Sequence, residues 1–174
     1  KDKFNEIQRI RFEKIKQILP GYKYSLAASG GIFLGKKYHY DLVRPGINLY
    51  GGSKNFNKNI KHVVKLEAPI IQINHLKKGQ TAGYSRTFKA KKNMVTGTIP
   101  LGYADGIGIR LSNKGFVHFK NYKLPMLGRV SMDLIIIDLT KLKDKIKIGS
   151  FVTLYDQNFT IDKFANLTGT IPYR

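Results

Sequence analysis

Beyond residue 62 the apolar pattern changes period, and that change restricts the chain to two unlike parts. Short apolar runs then recur at 63–73, 94–101, 116–119, 123–127, 130–139 and 151–155, most of them separated by Gly or Asn turns. Many strands at short spacing predict a barrel or a sandwich. Residues 161–167 predict a short helix with Thr160 as N-cap.

The first part reads differently. Phe4, Ile7, Ile15, Ile18 and Leu19 fall near helical spacing, with Lys and Arg on the other face, so 2–19 predicts an amphipathic helix. Asp2 is its expected N-cap and Pro20-Gly21 its end. A helix with such a stripe needs a partner, so the chain is expected to start inside a larger domain. Residues 24–27 predict a short buried strand running into Ser29-Gly30-Gly31, which is either an anion cradle of free backbone N–H groups or an ordinary tight turn. Residues 40–47 predict a second buried strand, stopped at Pro45-Gly46. Arg44 at its end is either functional or paired, Asp41 being the nearest carboxylate in sequence. A polar, Asn- and Lys-rich stretch over 53–61 reads as a linker.

Composition excludes several classes. The chain has 174 residues and no cysteine, so it carries no disulfide framework and no thiolate zinc site. No apolar run approaches the ~18 residues that span a bilayer, and no signal-peptide pattern opens the chain. A cytoplasmic protein is expected. The formal charge of +20 fits a polyanion-binding surface or a lysine-biased one. The lysines are scattered, no run of five basic residues occurs, and zinc-finger and RNA-binding motifs are missing. These features favour the second reading over nucleic-acid binding.

Three segments carry the chemistry. The strand Gly97-Thr98-Ile99-Pro100-Leu101 runs into Gly102-Tyr103-Ala104-Asp105-Gly106, presenting a phenol and a carboxylate. Upstream lies Ala82-Gly83-Tyr84-Ser85, and downstream Gly128-Arg129-Val130-Ser131-Met132-Asp133. Two phenols, an Arg and a Met-Asp pair on strand ends describe a pocket built from several strands. The plainer reading makes the tyrosines packing residues, Met132 core filler, and Asp105 and Asp133 turn residues.

These segments, with LAASGGIFLG (26–35), YDLVRPGINLYG (40–51), KKGQTAGYSRTFKA (77–90), TIPLGYADG (98–106), LPMLGRVSMDLIIIDLT (124–140) and GTIPYR (169–174), resemble the C-terminal part of the alanine racemase family in order and spacing. The resemblance implies an α/β plus all-β fold: the C-terminal part of a (β/α)8 barrel over 1–52, then a β-rich barrel- or sandwich-like domain over 58–174, expected to be cut short. It implies pyridoxal 5'-phosphate as cofactor, L- and D-alanine as substrates, no metal, and a cytoplasmic homodimer supplying D-alanine for peptidoglycan.

The roles it implies fall on individual positions. Tyr84 resembles the catalytic tyrosine, which moves the α-proton on one substrate face. A phenol titrates near ~10, so a surrounding that favours its ionised form is required. Arg44 resembles the arginine facing the cofactor's pyridine nitrogen. It keeps its own proton and so leaves that nitrogen unprotonated. Ser29, Gly46, Ile47 and Tyr173 match phosphate contacts, and Met132 a backbone N–H that meets the substrate carboxylate. Tyr103 and Arg129 match residues of the substrate access channel. In the family, two β domains complete each other's sites: Tyr84, Tyr103 and Met132 would serve the partner's cofactor.

Two positions depart from the family pattern. Ala28 replaces the usual Asn before the serine, and Ile109 stands where Arg is frequent, with Arg110 next to it. The family's Schiff-base lysine lies in a segment that none of these residues matches, so the 174 residues alone are expected not to racemise alanine. Alternatives are a racemase of other or broader specificity, a cofactor-binding paralogue without catalysis, and a basic nucleic-acid-binding module.

Overall fold

A computed structural model describes residues 2–52 and 59–172, which divide into two compact units, Lys1–Val63 and Val64–Arg174. No helix among the described residues is long and apolar enough to cross a membrane.

The first unit opens with helix α1 (Lys3–Ile18). Asp2 caps it, its carboxylate accepting from Phe4 N–H at 2.9 Å, and Leu19 N–H closes the last turn on Ile15 O at 3.0 Å. Glu6 draws the unit together. It accepts from Arg9 on its own helix, and from Lys37 Nζ at 2.6 Å and Tyr38 Oη at 2.8 Å. The two expected strands are reduced to extended segments that meet through one parallel bridge, Ala28 to Arg44, with Arg44 N–H donating to Ala27 O at 2.9 Å. The predicted strand over 40–47 is therefore corrected. Tyr40 takes a φ of +56°, which breaks an extended run before it starts. Past Gly46 the chain winds into a 3₁₀ turn over Ile47–Tyr50. The parallel sense is the one a β/α barrel requires.

Among the described residues the second unit holds nine strands: β1 (Leu66–Pro69), β2 (Gln72–Leu76), β3 (Thr81–Ala82), β4 (Phe88–Lys89), β5 (Met94–Ile99), β6 (Phe116–Phe119), β7 (Tyr122–Leu127), β8 (Ile135–Asp138) and β9 (Phe151–Tyr155). Seven form one antiparallel sheet in the order β1-β9-β6-β7-β8-β5-β2. Its edge strands β1 and β2 are consecutive in sequence, separated only by Ile70 and Ile71. Strands at opposite edges joined by two residues force the sheet to curl round on itself. Those two residues bridge the seam: Ile70 N–H donates to Ser150 O and Ile71 N–H to Thr98 O, both at 2.9 Å. The apolar run at 63–73 is thus two strands with a corner, because a single straight strand could not serve both edges. The run at 130–139 is strand only over β8. A tight turn held by Ser131 Oγ, which accepts from Leu134 N–H at 2.9 Å, occupies its first half.

Alternation sorts the two faces of this sheet. Ile99, Val117, Ile137, Val152 and Leu154 point inward and are fully buried with Ile70 and Leu139. On β5 the inward positions read Val95, Gly97, Ile99. A β-carbon on Gly97 would stand 2.7 Å from Leu139 Cδ1, so the missing side chain makes room for that leucine. Thr96 and Thr98 point the other way, onto the outer face. Helix α2 (Ile161–Thr168) is capped by Thr160, which accepts from Lys163 N–H, and buries Phe164 against the Tyr155 ring at 5.5 Å.

Candidate active site

On the outer face of the curled sheet, Gln72, Asn74, Thr98 and Ile136 floor an open cavity of about 450 Å³ whose walls include Tyr84 and Arg129. Tyr84 sits in the turn of the small β3–β4 hairpin, which pairs Ala82 with Phe88. The hairpin is placed by glycine. Gly83 has a φ of +76°, and a β-carbon there would lie 2.8 Å from Arg129 N; Gly128, also at +76°, leaves only 2.7 Å to Ala82 O. Two main chains therefore cross with nothing between them, and Tyr84 and Arg129 follow that crossing.

The turn itself is strained. Ser85 and Arg86 both adopt positive φ, +58° and +51°, at a cost of order 1–3 kcal/mol each for residues other than Gly. Such a conformation persists only where its surroundings over-determine it. Tyr84 is 69 % exposed, so it packs into no core among the described residues.

A second glycine contact sets Tyr103 against Met132, neither of which lines that cavity. A β-carbon on Gly102 would overlap Met132 O at 2.1 Å. Tyr103 N–H donates to Ser131 O at 2.9 Å and Ala104 N–H to Met132 O at 3.0 Å. Asp105 accepts from Gly102 N–H at 2.9 Å, so it is the turn residue of the plainer reading. Met132 is 54 % exposed and is not core filler. The fold thus joins Tyr84 to Arg129 and Tyr103 to Met132 through two separate sets of backbone contacts, the first at Gly83 and Gly128, the second at Gly102 and Ser131.

The remaining candidates gather in the first unit. Gly46 N–H donates to the buried Ser29 Oγ at 2.8 Å, and Asn48 Nδ2 to Ser29 O at 2.9 Å. Ile47 follows at the start of its 3₁₀ turn. Arg44 does not pair with Asp41, whose carboxylate accepts instead from Tyr24 N–H at 2.7 Å. Its guanidinium donates to Ser25 O at 2.7 Å, Ser25 Oγ at 2.6 Å and Leu26 O at 3.4 Å. Oxygens without formal charge hold the side chain in place, and no carboxylate among the described residues pairs with it. A fixed cation, a buried serine hydroxyl and neighbouring backbone amides fit a phosphate-bearing group with a basic ring nitrogen. Tyr173 lies outside the described residues. No cluster of metal-ligating side chains occurs among the described residues.

Two residues with a part in these groups carried no sequence signal strong enough to single them out. Asn48 supports Ser29, and Asn113 bonds both sides of the glycine crossing. Asn113, between Ser112 and Lys114, reads only as a turn former, and Asn48, between Ile47 and Leu49, has nothing in the local sequence that names its partner. Of the two departures, Ile109 is 40 % exposed beside the turn that follows Tyr103, and Arg110 donates to Thr168 O at 3.4 Å at the end of α2. Arg110 is thus committed to a helix end.

Residues 63–174 match the family model for the C-terminal domain of alanine racemase, and residues 1–54 match that for its N-terminal domain. The chain is 43% identical over 175 residues to an alanine racemase of Rickettsia bellii (strain RML369-C), covering 98% of this chain and 42% of the relative. It is 45% identical over 171 residues to that of Rickettsia africae (strain ESF-5), covering 98% and 47%. The chain spans about half the length of the curated relatives it matches. The crystal structure of alanine racemase from Bartonella henselae with covalently bound pyridoxal phosphate superposes with a TM-score of 0.83 at 41% identity, covering 99% of this chain and 48% of that one. The Acinetobacter baumannii alanine racemase structure gives 0.76 at 34%, covering 99% and 49%.

Proposed function

The chain belongs to the alanine racemase family, and from that membership we propose that the protein it represents interconverts L- and D-alanine with pyridoxal 5'-phosphate. It would do so as a cytoplasmic homodimer, supplying D-alanine for peptidoglycan. Residues 1–52 form the terminal portion of the cofactor-binding barrel, and 58–174 the C-terminal β domain.

When bound, the cofactor supplies the electron sink that acidifies the substrate Cα–H. This chain's residues hold, orient and move protons around it. Ser29, Gly46, Ile47 and Tyr173 would hold the phosphate, with Gly46 N–H acting through Ser29 Oγ. Arg44 would meet the ring nitrogen as a donor that never gives up its proton, and the oxygens of Ser25 and Leu26 keep it in place. Tyr84 Oη takes or returns the α-proton on one face. The opposing base is a lysine of the family's barrel beyond the segments matched here. Met132 N–H receives the substrate carboxylate, while Tyr103 and Arg129 line the approach. Tyr84, Tyr103 and Met132 serve the partner subunit's cofactor, which makes the dimer obligatory for turnover.

One observation carries this reading: an exposed phenol on a strained turn shares a cavity with Arg129 through a crossing that only glycine permits. The test is Tyr84→Phe in the holoenzyme, with solvent deuterium incorporation at Cα followed from each enantiomer. Exchange on one face should fall by about 10²–10⁴, the usual worth of a positioned general base. Unchanged racemisation in both directions would overturn the assignment.

A further inference from the structure

Asn113 stands where the two supports of Tyr84 meet. Its backbone N–H donates to Gly128 O at 3.2 Å, and Gly128 N–H donates back to its Oδ1 at 2.7 Å. Its Nδ2 reaches Thr87 O at 3.4 Å. The amide orientation is set by this arrangement, because only the oxygen can accept from Gly128 N–H, which leaves the nitrogen facing Thr87. Its φ of +57° is one that Asn tolerates better than most residues. Next to it, Ser112 Oγ accepts from Val130 N–H at 3.0 Å, so both residues of this loop grip the 128–130 segment.

The side chain is exposed and takes no part in the core. Its bonds go to two places: Thr87, which ends the strained turn carrying Tyr84, and Gly128, the residue on which that turn rests. Ser85 and Arg86 would relax from their left-handed conformations if either contact opened, and the phenol would move with them. We infer that Asn113 is a positioning residue for Tyr84, fixing the turn against Gly128 without touching substrate or cofactor. The inference rests on the reading of Tyr84 as the proton-transfer group. A displacement of about 1 Å at such a group is enough to cost on the order of 10²-fold in rate.

The two bonds separate by substitution. Asn113→Asp keeps an acceptor for Gly128 N–H and loses the donor to Thr87, whereas Asn113→Ala loses both. In the holoenzyme, amide hydrogen exchange over 84–88 should quicken by roughly tenfold in Asn113→Ala, with exchange over 135–138 unchanged. In Asn113→Asp the Gly128 amide should stay protected while 84–88 loosens. In both variants kcat should fall by about 10–100-fold with KM within about 3-fold, since placement of the base and not substrate affinity is lost. Wild-type exchange over 84–88 in both variants would overturn the inference. So would a loosened turn with unchanged kcat. If Asn113→Ala does not fold, Asn113→Asp carries the same test. Should Tyr84→Phe leave racemisation intact, the reading of Tyr84 fails by itself, and the exchange measurement still decides whether Asn113 holds the turn.

Discussion

Gly83 and Gly128 cross so closely that neither has room for a side chain, and their crossing puts Tyr84 beside Arg129 across 45 residues of sequence. Both glycines also hold a φ of +76°. Gly83→Ala and Gly128→Ala should each cost about 1–3 kcal/mol for the backbone conformation, with steric overlap adding to it. Urea unfolding midpoints measure this. A change within error at either position would show that the crossing relaxes without cost.

Tyr103 is expected to act on access and not on proton transfer, because its turn is tied to Ser131 and Met132 and not to the Tyr84 hairpin. Tyr103→Phe in the holoenzyme should alter KM by about 2- to 10-fold and leave kcat within about 3-fold. Loss of α-proton exchange on one face would assign it a proton-transfer role instead.

Glu6 makes the first unit acid-sensitive. The Arg9 guanidinium, then Lys37 and Tyr38, donate to its carboxylate and lower its pKa from 4.5 to about 2. A carboxyl with a lowered folded-state pKa stabilises the fold fully above its unfolded value. That contribution is lost as pH falls from 4.5 through 2. Melting temperature followed from pH 5 to pH 2 should drop across this window, and Glu6→Gln should flatten the drop. An identical pH profile for Glu6→Gln would exclude the network as its source.

Ile137 is fully buried on β8, between its partners on β5 and β7. Ile137→Ala should destabilise the second unit by about 2–5 kcal/mol, the transfer and cavity terms together. Chemical denaturation followed by tyrosine fluorescence reports it, and a loss under 1 kcal/mol would mean that the barrel interior collapses around the gap.

Local patterning made much of this molecule legible. Helical spacing with Asp2 and Pro20 bounded α1 to within a residue at each end, and Thr160 announced α2, because caps and periodicity act over a single turn. Strands β6 and β9 were bounded by their apolar runs and turns. The motif residues around Tyr84, Tyr103 and Met132 marked the candidate site by resemblance. What lay beyond reach depends on contacts between distant segments. The corner at Ile70–Ile71 exists because β1 and β2 must serve opposite edges of one sheet. Tyr40 and its positive φ break a run whose composition reads as strand, and Arg44 chooses the oxygens of Ser25 and Leu26 over the nearer Asp41. The role of Asn113 is invisible in a polar loop. Sequence alone determined the elements and the chemical groups available, since both are properties of short stretches of chain. Tertiary structure alone decided which groups face one another, because backbone approaches such as Gly83 on Gly128 arise only when strands far apart in sequence are brought into register.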